Sequence, residues 1–266
     1  MSKFTESVVS EIKRDYIQKL LSQGSRIDGR SQNDFRKIEV IKNFIPRADG
    51  SALVKLGNTQ VLVGVKIETG EPFPDTPNTG VLSTNAELVP LASPTFEAGP
   101  PGEEAIELAR VVDRGIRESK AIDLERLVIK EGELVWIVFV DIHVLDYDGN
   151  LFDASALGSI IALKNSTVPA SRFGQGEDFP LPIRHYPATT TFAKIGDKIV
   201  LDPNLDEENI AHSRLTITTD ENGKINAIQK GLEGTFTKDE ILNTIKVSIE
   251  SGKYLRNTFI LGDDSK

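Results

Sequence analysis

The sequence predicts a two-part α/β fold of the α+β type, with mixed sheets and packed helices. Three observations predict it. Two stretches of alternating apolar residues fold back on glycine-containing turns, a helical apolar period follows each, and a proline- and glycine-rich stretch separates them. The divisions read from this pattern are an N-terminal helix and arm (1–30), a first part (31–165), a linker (166–188), a second part (189–258) and a C-terminal tail (259–266).

Residues 8–21 place Val9, Ile12, Tyr16 and Leu20 three or four apart, with Lys13, Arg14 and Lys19 between them. That spacing predicts an amphipathic helix stopped at Gly24. From Ile38 the period becomes two. Residues 51–56 and the alternating Val61, Val63, Val65 and Ile67 flank Gly57-Asn58, which predicts a hairpin. Seven of the 13 prolines lie between Pro72 and Pro101, so this stretch reads as loop around a strand at 81–91. Pro100-Pro101-Gly102-Glu103-Glu104 opens a helix at 103–119, since proline suits a helix start and acidic side chains suit its first turn. Residues 134–145 are apolar on both alternate sets for most of their length, which predicts a central strand buried on both faces. An Asp148-Gly149-Asn150 turn then leads into a small-residue helix at 154–163.

In the second part, strands are expected at 189–193 and 198–201, followed by an acidic loop, Asp206-Glu207-Glu208-Asn209. Residues 214–219 and 225–229 form a hairpin around Asn222-Gly223. Thr237-Lys238-Asp239-Glu240 is a capping box, and Ile241, Ile245 and Ile249 line one face of the helix it opens.

Composition narrows the function. With 31 Lys and Arg against 40 Asp and Glu, the net charge of −9 opposes nonspecific coating of nucleic acid or anionic membrane. The absence of cysteine removes disulfides and thiolate chemistry. No apolar run approaches the roughly 20 residues of a membrane span, and Met1-Ser2-Lys3-Phe4-Thr5-Glu6 lacks a signal peptide's apolar core. The expectation is a cytoplasmic protein with no membrane partner. Nucleotide-loop, nucleophile-elbow and zinc-protease motifs are missing; Gly174-Gln175-Gly176 lies in the linker. Asp141, His143, Asp146, Asp148 and Asp153 cluster in sequence, but a strand and a turn account for them without a metal or acid–base role.

The positive finding is Arg110, Arg114 and Arg117. Steps of four and three set them on one face of the 103–119 helix as a basic stripe, suited to an RNA or DNA backbone because guanidinium is a permanent, bidentate donor. Glu107 and Asp113 stand three and four residues before Arg110 and Arg117, so local ion pairs compete for the stripe.

Several longer patterns then agree in order and spacing. They are Arg26-x-Asp28-Gly29-Arg30, Ala48-Asp49-Gly50-Ser51-Ala52, Gly57-Asn58-Thr59-Gln60-Val61, Asp75-Thr76-Pro77-Asn78, and the run from Ala105 through Arg110 to Arg114. Together, over about residues 8–258, they resemble the RNase PH family, and in particular the non-catalytic RNase PH-like subunit of the archaeal exosome ring. The resemblance implies an RNase PH-like two-part fold within a hexameric ring of three heterodimers. A catalytic RNase PH-like exosome subunit would be the partner, RNA-binding cap subunits would join the ring, and single-stranded RNA would be degraded 3′→5′ by phosphorolysis.

The same resemblance implies no catalytic and no metal residue in this chain. Where active relatives carry an arginine-bearing phosphate cradle, the chain has Asp148-Gly149-Asn150-Leu151-Phe152-Asp153. The arginine falls on Phe152, which has no donor, and Asp153 is expected to repel phosphate. Losing one charge-assisted hydrogen bond costs about 1.5–3 kcal/mol. The required aspartate aligns on Arg214, and an arginine pair aligns on Glu103-Glu104. Phosphate, with or without a divalent cation, would therefore sit in the partner's active site. Arg110 and Arg114 match RNA-contacting positions; Arg117 does not. Two alternatives stay open: an active phosphorolytic exoribonuclease using Asp202 or Glu207, and a purely architectural ring subunit without RNA contact.

Overall fold

The computed structural model describes residues 3–262, with side chains from residue 13 onward. Helix α1 (Lys3–Ser22) precedes strands β1 (Ile38–Lys42), β2 (Gly50–Leu56), β3 (Thr59–Gly70) and β4 (Val81–Leu88), then helix α2 (Glu103–Glu118). Strands β5 (Val128–Lys130) and β6 (Leu134–Asp146) lead to helix α3 (Leu151–Lys164). Short strands β7 (Thr167–Val168) and β8 (Phe179–Pro180) lie in the connection. The second part comprises β9 (Ala188–Ile195), β10 (Lys198–Leu201), α4 (Leu205–Ile210), β11 (Ser213–Thr219), β12 (Ile225–Gly231) and α5 (Lys238–Leu255).

The first sheet runs β1-β2-β3-β6-β4, with β5 on the end of β6; every pairing is antiparallel except β4 with β6. The parallel pair follows from the long connection through α2, since a hairpin cannot join parallel strands. The β2–β3 hairpin keeps Val54 opposite Val61 and Ala52 opposite Val63, so one face is continuously aliphatic. Strand β6 is central, as its composition predicts, but only one of its faces is fully buried. Val138, Val140, Ile142 and Val144 point into the core, while Phe139, Asp141 and His143 are half-buried on the other side.

The second sheet runs β10-β9-β11-β12, all antiparallel, with β12 at its edge. Helices α2 and α3 pack together and lie between the sheets: α3 meets β2, β3 and β9, and α2 meets β4 and β12. Helix α3 is accordingly buried nearly all round. Gly158 of α3 is part of that fit, because a Cβ there would stand 2.8 Å from Val63 Cγ2. On the far side of the second sheet, Phe192, Leu215 and Ile217 pack against Ile241 and Ile245 of α5. Buried Thr244 and Ser248 occupy the middle of that helix's face, with the isoleucines flanking them.

Two further local expectations need correction. The acidic segment from Asp206 is not a loop but α4, because Asn204 caps it and Glu207 closes a capping box. The buried face of α1 is set by Ile17 and Leu21, packed on Ala193, Ile195 and Val200, whereas Tyr16 is 58% exposed. Tertiary packing has turned the helix by about one residue; Val9 and Ile12 lie outside the described side chains. The connection 166–188 is itself packed, with Val168, Ala170 and Leu181 buried in the first core. Of the C-terminal tail, 263–266 lie outside the described residues. No helix among the described residues is long and apolar enough to cross a membrane.

Candidate nucleic-acid interface and the cleft beside it

Helix α2 begins at Gly102, buries Leu108, Val112 and Ile116, and thereby turns Arg110, Arg114 and Arg117 outward, all exposed. Their surroundings differ. Arg117 Nη2 stands 2.9 Å from Asp113 and also donates to Leu82 O at 3.1 Å. The Asp113 hydrogen bond raises the Arg117 pKa, and the pair holds its charge locally. Arg114 Nη1 donates to Gln229 Oε1 at 3.2 Å. Arg110 makes no hydrogen bond or ion pair among the described residues. Glu107 does not pair with Arg110; it reaches Arg214 at 2.7 Å, on a strand of the second part.

That pair opens onto a cavity of about 440 Å³ between α2, β11 and the start of α3, lined by Glu104, Glu107, Tyr147, Phe152, Glu208 and Arg214 among others. The Arg214 guanidinium lies 4.3 Å from the centroid of the Phe152 ring, a cation–π contact, while Glu107 takes its Nη2. Tyr147 donates to Glu208 Oε2 at 2.9 Å, and Asn150 N donates to Oε1 at 3.0 Å. Burial raises the Glu208 pKa; burial and then the Glu208 charge push Tyr147 well above the usual phenol value. The cleft thus presents three carboxyl side chains and one arginine whose charge is already met. It does not fit a phosphate ion.

Phe152 and Arg214 meet in one cavity. Asp153 does not face that cavity: it is 4% exposed and turned toward the second sheet. Its Oδ2 accepts from Thr191 N at 2.9 Å and Asn150 Nδ2 at 2.9 Å, and its Oδ1 accepts from Thr191 Oγ1 at 2.7 Å. Consecutive helical positions differ in direction by about 100°, which separates Phe152 from Asp153. Burial outweighs those three hydrogen bonds and pushes the Asp153 pKa up to about 7.

The remaining sequence candidates are dispersed. His143 Nδ1 is 3.3 Å from Glu87 on the outer face of the first sheet, and Asp148 takes the Asn58 amide at 3.1 Å. Asp202 is fully buried, with Oδ1 accepting from Arg36 at 2.8 Å and Asn150 at 2.7 Å, and Oδ2 accepting from Arg30 at 3.0 Å. Glu207 is also fully buried and pairs with Arg26 through Nε at 2.9 Å and through Nη2. Glu207 is consumed in joining the N-terminal arm to the second part, and Asp202 in joining both the arm and the first part to it. Sequence reasoning missed Gln229 and the Glu107–Arg214 pair, since each joins residues over 100 positions apart.

The comparisons agree along nearly the whole length. The 3′ exoribonuclease family matches twice, its domain 1 over residues 34–169 and its domain 2 over 185–251. Exosome complex component Rrp42 of Thermoplasma acidophilum is 56% identical over 259 residues, covering 97% of this chain and 99% of the relative. A structure of the Archaeoglobus fulgidus exosome with RNA bound to the active site contains a chain that superposes with a TM-score of 0.92 at 56% identity. That match covers 95% of this chain and 99% of the other. A chain of an archaeal exosome core gives 0.89 at 51% identity, covering 96% and 99%. With both domains matched in order and such identity over nearly the full length, the chain belongs to the 3′ exoribonuclease, or RNase PH, family.

Proposed function

We propose that the chain is a non-catalytic subunit of an archaeal-type exosome core. In this reading it alternates in a hexameric ring with a catalytic RNase PH-like subunit, beneath RNA-binding cap subunits, in the cytoplasm. It holds single-stranded RNA through Arg110 and Arg114 while the partner performs 3′→5′ phosphorolysis. The likeness to exosome components supports the ring role. The observation that carries the non-catalytic reading is Arg214 lying on the Phe152 ring and paired with Glu107 inside the cleft. An arginine cannot act as a carboxylate base or ligate a metal ion. The carboxylates that an active reading would need instead, Asp202 and Glu207, are fully buried and bonded to arginines.

Phosphorolysis of poly(A) with inorganic phosphate, followed as ADP release, tests this. The chain alone releases none; the chain combined with its catalytic partner restores release. ADP formation by the chain alone at the rate of the complex overturns the reading. Replacing Arg110 and Arg114 together by Ala is expected to weaken poly(A) binding by the complex about tenfold or more, with the ring mass unchanged, because two phosphate contacts are lost. Wild-type affinity in that variant favours the purely architectural role.

A further inference from the structure

The arginines of α2 separate by the charge of what holds them. A carboxylate neutralises Arg117 at 2.9 Å, while a neutral amide holds Arg114 at 3.2 Å. Arginine only donates, so Gln229 must present its oxygen to Arg114, which turns its NH2 group away from the guanidinium. That NH2 makes no hydrogen bond among the described residues. Gln229 sits on β12, whose outer edge pairs with no other strand among the described residues. It lines a groove of about 400 Å³ with Ile106, Arg110, Val111 and Arg114, into which Glu103 and Glu107 also border. Glu107 is engaged by Arg214 across the helix, which leaves the Arg114 charge uncancelled by it.

We propose that Gln229 is a positioning residue for RNA: it fixes the Arg114 guanidinium across the seam between the two parts without neutralising it. Its own NH2 adds two donors for a phosphate or ribose oxygen in the same groove. This rests on the reading of Arg110 and Arg114 as RNA contacts. An exposed arginine samples many rotamers, and a tether that keeps one of them lowers the entropy lost when a phosphate binds. A glutamate at 229 would have the same shape but would convert Arg114 into a second copy of the Arg117 ion pair.

The test uses the complex assembled with its catalytic RNase PH-like partner and a fluorescein-labelled oligo(A). Affinity is measured across a sodium chloride series for wild type, Q229E, Q229A, R114A and R114A combined with Q229E. Q229E is expected to weaken binding about 3- to 5-fold, the upper scale of one surface charge pair. It should also flatten the slope of log affinity against log salt by about 0.7, one single-strand phosphate contact. Q229A weakens binding less and leaves the slope unchanged. In phosphorolysis KM rises with the loss of affinity while kcat holds. In the R114A background Q229E adds less than about twofold, as expected when two residues act as a unit. Wild-type affinity and slope in Q229E, or an equal loss with and without Arg114, overturn the positioning role. R114A binding RNA as wild type does overturns the contact reading on which it rests.

Discussion

At the scale of single residues, Asp153 makes the sharpest prediction, because a carboxyl group shut between α3 and β9 has its pKa pushed up to about 7. A raised acid pKa means that the folded state binds the proton more tightly than the unfolded one. Stability contributed by this group is therefore full at low pH and is lost as pH rises from about 4 through 7. The displacement from 3.8 to about 7 corresponds to roughly 4 kcal/mol as an upper scale. In Asp153→Asn the amide oxygen can accept from Thr191 N and Asn150, and the new NH2 can donate to Thr191 Oγ1. Urea denaturation should find the variant more stable than wild type at pH 8, with the gap falling to less than about half of that at pH 5 and nearly closed only at about pH 4. An equal gap at all three values would mean that the carboxyl group stays ionised throughout. The same residue marks the limit of sequence reading. Adjacent letters put Phe152 and Asp153 together, yet the turn of a helix sends one into the cleft and the other into the protein. The arginine stripe was legible because helical spacing alone sets its face; what holds each arginine was not, because Gln229 comes from another sheet.

At the scale of elements, local signals decided most of the fold. The β2–β3 and β11–β12 hairpins, the start of α2 and the Thr237 cap all stand where turn chemistry and period place them. Thr237 Oγ1 accepts from Glu240 N at 3.3 Å, and Thr237 N donates to Glu240 Oε2 at 2.7 Å. Thr237→Ala should lower stability by about 1 kcal/mol in a denaturation experiment, the usual value of such a cap. A loss below a few tenths would mean that Lys194, 2.8 Å from Glu240, already anchors this helix start. The misread elements failed for different reasons. The acidic run forms α4 on a local signal, the Asn204–Glu207 capping box, and Glu207 also meets the buried Arg26. Helix α1 shows its tyrosine to solvent because the second sheet receives Ile17 and Leu21 instead.

At the scale of the molecule, Asp202 joins pieces far apart in sequence: Arg30 of the arm, Arg36 and Asn150 of the first part, and the second part that carries Asp202 itself. Removing it leaves two largely buried guanidiniums without their shared carboxylate. Asp202→Ala should therefore cost about 3–5 kcal/mol. Trp136, the single tryptophan, reports on the first part and far-UV circular dichroism on the whole; both should move to the same lower midpoint. Separate midpoints, or a loss below about 1 kcal/mol, would place the link between the parts elsewhere. The cleft pair carries a different consequence, which concerns reversibility. Placing an aspartate at position 214 alone would set it against Glu107 and strip Phe152 of its cation. Placing an arginine at position 152 alone would press it against Arg214. Each single step back toward a phosphate cradle is worse than standing still, so on the proposed reading the chain's dependence on a catalytic neighbour works as a ratchet.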